Sequence, residues 1–238
     1  MKAFLLAAGN GTRLRPLTDK IPKCLVPING RPLLAYWLNS IRAAAIDEVL
    51  VNTHHLPSLI QEFVKEWAPP PIVHLTFEPQ LLGSAGTLLR NKSFVEAQED
   101  FYILYADNLT NIDLGDIWKF HSRHKASIFS LASYRSPIPE SKGILTVDDQ
   151  GCVLSFEEKP KSPRSNLANS GIGVASARIF EYIEDKIPQD IGRDVMPKLI
   201  GAMYSLETNA YIRDIGTYED YVSASAEWLS LSNTRGLP

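Results

Sequence analysis

The chain has 238 residues, of which 45% are hydrophobic and 21% charged, and its formal net charge is −3. These values are typical of a globular protein that buries a substantial core, and they exclude an intrinsically disordered chain. The small negative charge argues against nucleic acid as a partner, which normally requires a basic face, but it still allows a local basic pocket for a small anion.

The N-terminus and the cysteines bear on the cellular compartment. The first apolar run, Ala3 to Ala8, stops at Gly9 and is too short for a secretory signal or a membrane span. Cys24 and Cys152 lie far apart and do not have the spacing of metal ligands, which is typical of a reducing compartment. We therefore expect a soluble, cytoplasmic protein with no membrane partner.

Apolar runs alternate with amphipathic segments in the first half of the chain, which predicts an α/β protein with a largely parallel central sheet. The predicted strands are Ala3 to Ala8, Val49 to Val51, Ile72 to Phe77 and Phe101 to Ala106. Apolar residues at helical spacing predict one helix after Pro32 and another from Pro57.

The second half has the pattern of a mixed sheet that could hold a second substrate. Its predicted elements are a strand at Ser127 to Tyr134, a hairpin joining Gly143–Val147 to Cys152–Phe156, a strand at Ile172 to Ala175, a helix at Ala177 to Ile183 and an amphipathic helix at Thr217 to Leu231. No repeat or linker separates the halves. We predict one domain over 1–238, with a nucleotide-binding half at about 1–125 and a second-substrate half at about 126–238.

The glycine-containing segment after the first strand is the most informative stretch of the sequence. A strand that runs into Gly9-Asn10-Gly11 lets the backbone approach a phosphate with its N–H groups turned toward the charge. Arg13 can hold phosphate oxygens in a bidentate manner, and Lys23 adds a compact positive charge. The segment has no Walker A ending, and Leu14 stands where a dinucleotide-binding fingerprint requires Gly or Ala. The pattern favours a triphosphate whose leaving group is pyrophosphate.

The run from Leu6 to Pro27 resembles the signature of the sugar-phosphate nucleotidyltransferases, also called nucleotide-sugar pyrophosphorylases. In that family a first strand is followed by Gly-x-Gly-Thr-Arg, then Pro-Lys and an apolar-Pro pair. The matching residues are Gly9-Asn10-Gly11-Thr12-Arg13, Pro22-Lys23 and Val26-Pro27. Further matches follow in the family's order along most of the chain: Leu82-Gly83-Ser84-Ala85-Gly86, Asp107, Glu158-Lys159-Pro160, Asn169 with Gly171, and Asp214-Ile215-Gly216-Thr217.

The resemblance implies a fold and a reaction. The implied fold is Rossmann-like and glycosyltransferase-A-like, with a mixed, mainly parallel sheet flanked by helices. The implied reaction joins a nucleoside triphosphate to a sugar 1-phosphate and releases pyrophosphate. Because the chain ends soon after its last motif, we expect the short, single-domain form without a left-handed β-helix tail.

The resemblance also assigns binding residues. The implied nucleotide contacts are Leu6, Ala7, Gly9, Asn10, Gly11, Thr12, Arg13, Lys23, Glu78, Gly83, Ser84 and Ala85. The implied sugar-phosphate contacts are Gly143, Glu158, Lys159, Asn169 and Gly171. The implied metal ligands are Asp107 and Asp214, which would share one Mg²⁺, a cation that takes one or two carboxylates plus phosphate oxygens and water. Ala106 departs from the family, which usually has Gly before this aspartate.

Four of these residues would be catalytic. We expect Arg13 on the β and γ phosphates, Lys23 on the α phosphate and leaving group, and Lys159 on the nucleophile. Asp107 would act through the metal ion. No general base is required, because a sugar phosphate with a second pKa of about 6 is already largely ionised.

The identity of the base depends on Glu78, which stands five residues before Gly83. A carboxylate can accept two parallel donors, which guanine offers, whereas a glutamine would fit uracil or thymine better. The sequence therefore favours GTP, and with it a mannose or manno-heptose 1-phosphate. UTP or dTTP with a glucose or amino-sugar 1-phosphate is the alternative.

Two other functional classes stay open. A glycosyltransferase that uses a nucleotide sugar often carries Asp-x-Asp for its metal, which Asp107-Asn108-Leu109 does not match. A non-catalytic regulatory nucleotide-sugar-binding module would be expected to have lost some of the charged residues that this chain retains. Either a monomer or a small homo-oligomer is compatible with the sequence.

Overall fold

The structure is a computed structural model, and it describes residues 1–96 and 100–235. Its strands are β1 (Lys2–Leu6), β2 (Pro27–Ile28), β3 (Arg31–Pro32), β4 (Glu48–Thr53), β5 (Ile72–Phe77), β6 (Asp100–Tyr105), β7 (Asn108–Thr110), β8 (Phe129–Arg135), β9 (Gly143–Val147), β10 (Val153–Glu158), β11 (Leu167–Ser176), β12 (Met203–Glu207) and β13 (Ile212–Asp214). Its α-helices are α1 (Leu33–Ala43), α2 (Pro57–Glu66), α3 (Ser84–Arg90), α4 (Leu114–Arg123) and α5 (Tyr218–Arg235).

One large sheet runs through both halves of the chain. In the first half β5, β4, β1 and β6 lie side by side and are all parallel. Strand β11 then pairs antiparallel with β6, and also with β8 and β9, so it joins the second half to the first. The β9–β10 hairpin ends the sheet on that side, while β12 pairs parallel with β8. The result is the mixed α/β sheet that was predicted.

Two hydrophobic cores lie on opposite faces of the sheet. Alternate residues of a strand point to opposite faces, and in β1 Ala3 and Leu5 belong to one core while Phe4 belongs to the other. Trp37 and its apolar neighbours in α1 cover the first face, whereas Leu88 of α3 and Ile179 belong to the core on the second face. Burial on both faces explains why β1 and β6 are nearly continuous apolar runs in the sequence.

The strand and helix boundaries depart from the prediction in a few places. Strand β1 ends at Leu6 rather than Ala8, because the Ala7 N–H turns away to donate to Asn52 Oδ1 at 2.7 Å. The helix predicted at Ala177 to Ile183 is a 3-10 helix over Ala177–Tyr182. Within the described ranges, no helix is both long enough and apolar enough to span a membrane.

Candidate active site

The carboxyl ends of the parallel strands open into a cavity of about 590 Å³, the position where open α/β sheets bind ligands. Residues from both halves of the chain line this cavity. The predicted site residues among them are Leu6, Ala7, Gly9, Asn10, Gly11, Thr12, Arg13, Lys23, Glu78, Gly83, Ser84, Asp107, Gly143, Glu158, Lys159, Asn169, Gly171 and Asp214. Ala85 is fully buried and does not line it.

The glycine loop, Gly9 to Arg13, is held in place by its own backbone and by Thr18. The Leu14 N–H donates to Gly11 O at 2.9 Å, which closes a 3-10 turn over Thr12–Leu14. The Thr18 hydroxyl donates to the same carbonyl at 2.7 Å. Because Leu14 is completely buried, it anchors the loop while Arg13 stays exposed at the cavity.

Lys23 lies between the two predicted metal ligands. Its Nζ donates to Asp107 Oδ2 at 2.8 Å and to Asp214 Oδ1 at 3.3 Å, with 11% of its side chain exposed. The antiparallel pairing of β7 with β13 sets Asp214 opposite Asn108, and the Ile215 N–H donates to Asp107 O at 2.9 Å. Two aspartates that are far apart in the sequence therefore face one ammonium group.

The charges of Lys23 and Asp214 stabilise each other in the folded protein. Burial disfavours the Lys23 ammonium, but the carboxylates of Asp107 and Asp214 outweigh that effect and raise the pKa of Lys23. Burial likewise works against the Asp214 carboxylate, but Lys23, Lys142 and Arg13 overcome it and hold the pKa of Asp214 below its ordinary value. We conclude that Lys23 and Asp214 are both charged at neutral pH.

The two aspartates fit a hard divalent cation. Asp107 is 43% exposed and Asp214 is 30% exposed, so carboxylate oxygens of both residues are accessible. No group of three or more His, Cys, Asp or Glu side chains suited to a metal occurs in the part of the chain that the structure describes. The protein would thus supply two oxygen ligands and leave the rest to phosphate and water, which is a binding mode of Mg²⁺.

Glu78 is buried in a hydrogen-bond network at the edge of the cavity, with 2% of the residue exposed. Its Oε1 accepts from Asn52 Nδ2 at 2.9 Å and from Thr87 Oγ1 at 2.6 Å, and its Oε2 accepts from the Leu82 N–H at 3.1 Å. The network ties the end of β4 to α3 and shapes the loop between β5 and α3. Contact of Glu78 with a base stays a prediction.

The Gly83-Ser84-Ala85 segment joins the two halves of the chain. A Cβ atom at Gly83, where φ is 76°, would lie 2.3 Å from Gln189 O, so only glycine allows this approach. The Ser84 hydroxyl donates to Asp190 Oδ2 at 2.8 Å and accepts from the Ile191 N–H at 2.7 Å. The Ala85 N–H donates to Gln189 O at 2.9 Å, so it is already occupied within the protein.

The predicted sugar residues come from the end of the β9–β10 hairpin and from β11, and they line the same cavity. Gly143 and Glu158 are paired in the β9–β10 hairpin, and Lys159 Nζ lies 3.8 Å from Glu158 Oε1. Burial raises the pKa of Glu158, against the opposing effect of Lys159 and with a further contribution from Asp190. The Asn169 Oδ1 accepts from the Gly171 N–H at 3.0 Å, which shapes the bulge in β11.

Several cavity residues were not predicted from the sequence. Asn52 and Thr87 support Glu78, Asp190 lies beside Ser84, and Lys142 points at Asp214. Lys142 directly precedes the predicted Gly143, which is a local signal that the sequence analysis did not use. Asp190 has no comparable signal, because only the folded chain brings it to Ser84.

The chain is similar to proteins of one family over most of its length. The family model described as "Nucleotidyl transferase" matches residues 2–230. A UTP–glucose-1-phosphate uridylyltransferase of Synechocystis sp. is 32% identical over 94% of this chain and 62% of its own length. Mannose-1-phosphate guanylyltransferase 1 of Arabidopsis thaliana is 30% identical over 94% of this chain and 63% of its own length. The chain therefore spans somewhat less than two thirds of these relatives.

Two solved structures share the fold. A putative glucose-1-phosphate thymidylyltransferase from Bacillus anthracis, in complex with a sucrose, superposes with a TM-score of 0.82 at 23% identity, covering 95% of this chain and 94% of that one. HddC from Yersinia pseudotuberculosis, complexed with GMP-PN, superposes with a TM-score of 0.78 at 26% identity, covering 95% of this chain and 99% of that one.

Proposed function

Because the chain belongs to the nucleotidyl transferase family, we propose that it joins a nucleoside triphosphate to a sugar 1-phosphate, releasing pyrophosphate. One observation carries the proposal. Lys23, Asp107 and Asp214 meet in the cavity between the glycine loop and the hairpin that bears Glu158 and Lys159. A nucleotide on the first side and a sugar phosphate on the second would bring their phosphates together at this cluster.

The reaction is an in-line substitution at the α phosphorus. An oxygen of the sugar 1-phosphate forms a bond to that phosphorus, the bond to the β-phosphate oxygen breaks, and pyrophosphate leaves with the electron pair. The protein's contribution is to position the two anions and to stabilise the charge, as in phosphoryl transfer generally. A Mg²⁺ ion held by Asp107 and Asp214 would supply charge neutralisation and orientation of phosphate oxygens.

Three cationic side chains would each bind a different phosphate group of the two substrates. We assign Arg13 to the β and γ phosphates, since it is exposed at the glycine loop. We assign Lys23 to the α phosphate and the leaving group, because it lies at the centre of the cluster. Lys159 would bind the phosphate of the nucleophile, and Glu158 would accept hydrogen bonds from sugar hydroxyls.

For the substrates we favour GTP with mannose 1-phosphate or a manno-heptose 1-phosphate. The choice of base rests on similar proteins, because the Glu78 carboxylate lines the cavity but already accepts hydrogen bonds from protein groups on both of its oxygens. Similar proteins include mannose-1-phosphate guanylyltransferases, and the HddC structure contains GMP-PN. The Synechocystis relative, a uridylyltransferase, supports UTP with glucose 1-phosphate as the second candidate pair.

We further propose a cytoplasmic location. Both cysteines of the described chain are free thiols, and burial raises the pKa of Cys24 to about 12, so this thiol stays protonated and unreactive. Free thiols without disulfides suit a reducing compartment.

The test is a substrate panel. The purified protein is incubated with Mg²⁺, each of five nucleoside triphosphates and a set of sugar 1-phosphates, and pyrophosphate release is measured. We expect release with GTP and a manno-configured sugar 1-phosphate. Release with UTP or dTTP alone would keep the reaction and overturn the substrate choice. If folded protein that binds nucleotide releases no pyrophosphate with any pair, the catalytic proposal is wrong.

A further inference from the structure

Lys142 is a cavity lysine to which the sequence motifs assign no role. It lies at the start of the β9–β10 hairpin, and 21% of its side chain is exposed. Its Nζ lies 3.6 Å from Asp214 Oδ2, on the carboxylate whose other oxygen accepts from Lys23. This separation is longer than a hydrogen bond, so the ammonium group keeps its donors available for a ligand.

The hairpin brings Lys142 next to Lys159. Gly143 pairs with Glu158, and in the next step along the ladder the Lys159 N–H donates to Lys142 O at 2.9 Å. The two lysines differ in direction. Lys142 faces Asp214, whereas Lys159 is 66% exposed and lies 3.8 Å from Glu158 Oε1. One end of the hairpin therefore carries two ammonium groups, one near Asp214 and one near Glu158.

Lys142 stands where the phosphate of a bound sugar 1-phosphate would be expected. It lies between Asp214, a proposed ligand of the metal, and Glu158, the proposed acceptor of sugar hydroxyls. Gly143, the residue after Lys142, pairs with Glu158, and Lys142 Nζ lies 3.6 Å from Asp214 Oδ2, so Lys142 is adjacent to both acidic residues. A sugar 1-phosphate held by Glu158 has to place its phosphate between Glu158 and Asp214 to reach the nucleotide.

We propose that Lys142 binds the phosphate of the sugar 1-phosphate and that this phosphate is held between Lys142 and Lys159. The inference rests on the proposed function. A lysine is a compact charge with three donors, so it can bind a non-bridging oxygen and leave another oxygen free to attack. Its charge also reduces the repulsion between the sugar phosphate and the triphosphate as they approach each other.

Kinetics of the variant K142M test this role. With the substrate pair that the panel identifies, we expect the KM for the sugar 1-phosphate to rise about tenfold or more, because charge-assisted hydrogen bonds are the strong ones. The KM for the nucleoside triphosphate should stay within about twofold. The variant K142R, which keeps the charge, should recover most of the lost affinity.

The control is K161M, which removes an exposed lysine that follows the same hairpin and does not line the cavity. It should leave both KM values unchanged. Should K142M fail to fold, as judged by circular dichroism and its unfolding midpoint, K142Q serves as the second variant.

The possible outcomes separate the two proposals. A selective rise in the KM for the sugar 1-phosphate supports the inference. Unchanged kinetics, an equal rise in both KM values, or a fall in kcat alone each overturns it while the proposed function stands. A wild-type protein that releases no pyrophosphate with any pair overturns the proposed function, and the inference falls with it.

Discussion

At the scale of single residues, Lys23 is the group on which we propose that the chemistry depends most. It is nearly buried, donates to Asp107 and Asp214, and stays charged because the two carboxylates raise its pKa. A buried cation with two carboxylate partners is positioned before any substrate arrives, which is the form of electrostatic stabilisation that contributes most to catalysis.

We predict that K23M lowers kcat by about 10²–10³-fold, by analogy with the loss of one oxyanion-hole donor. The measurement is steady-state pyrophosphate release with both substrates saturating. K20M is the matched control, since Lys20 is exposed and lies outside the cavity, and it should retain wild-type turnover. Near-normal turnover in K23M would show that the assignment of Lys23 is wrong.

Glu158 gives a prediction about pH. Burial raises its pKa above the ordinary value of a glutamate, and the ionised carboxylate accepts on both oxygens, whereas in the protonated acid one oxygen becomes a donor. As the pH falls through this raised pKa, Glu158 gains a proton, so we expect the KM for the sugar 1-phosphate to rise while the KM for the triphosphate changes little. The profile is measured from neutral to mildly acidic pH.

The variant E158Q supplies the control for that profile. It should bind the sugar phosphate more weakly at neutral pH, and any pH dependence that it retains belongs to the substrate's own phosphate, whose second pKa is about 6. If wild type and E158Q had the same acidic limb, Glu158 would not be the titrating group.

Residues of a local motif line the cavity together, whereas cavity residues that meet only through the fold were not predicted from the sequence. The glycine loop lies within a few residues of one strand, so its residues reach the cavity together. Ala85 matched its motif, yet its N–H serves Gln189 O instead of the cavity. Asp190 was missed because its neighbour Ser84 is distant in sequence.

At the scale of elements, β11 and its glycine bulge shape part of the cavity wall. Gly171 has a φ of 72°, and a Cβ atom there would lie 2.2 Å from Tyr105 Cδ2. The bulge lets β11 pair with both β8 and β6 while Tyr105 packs against its backbone. The bulge thus adjusts the strand next to the site, as bulges often do.

We predict that G171A lowers the free energy of unfolding by about 1–3 kcal/mol from overpacking, with backbone strain in addition. Chemical denaturation measures the loss. G30A is a suitable control, since Gly30 also has a positive φ, of 83°, but has no atom within 4 Å of an added Cβ. A loss in G171A no larger than that in G30A would mean that the contact with Tyr105 is unimportant.

Elements were predicted well where one face is uniformly apolar. Strand β5 and helix α1 have such patterns, and their predicted positions agree with the structure. Helix α4 was missed, because its buried face includes His121, which contacts Ser130 Oγ at 2.8 Å. Strand β12 was missed for a similar reason, since its buried Ser205 donates to Ser133 Oγ at 2.6 Å. Satisfied buried polar groups hide an apolar pattern.

At the scale of the whole molecule, the site exists because one sheet combines parallel and antiparallel strands. The parallel strands end at the glycine loop and at Asp107, while the antiparallel strands bring in the Glu158–Lys159 hairpin end. The β7–β13 pairing then sets Asp214 beside Asp107. Hydropathy patterns predicted the α/β class, but the pairing of distant strands leaves no local signal. The family resemblance, rather than the periodicity of hydropathy, predicted from the sequence that these residues belong to one site.

We propose above all that the sugar 1-phosphate attacks the α phosphorus of the nucleotide. The most direct test follows a radioactive label from GTP carrying ³²P at either the α or the γ position, incubated with protein, Mg²⁺ and mannose 1-phosphate or a manno-heptose 1-phosphate. We predict that the α label appears in a nucleotide sugar and the γ label in pyrophosphate. A γ label found on the sugar or as inorganic phosphate, with the α label left in GDP, would contradict the account.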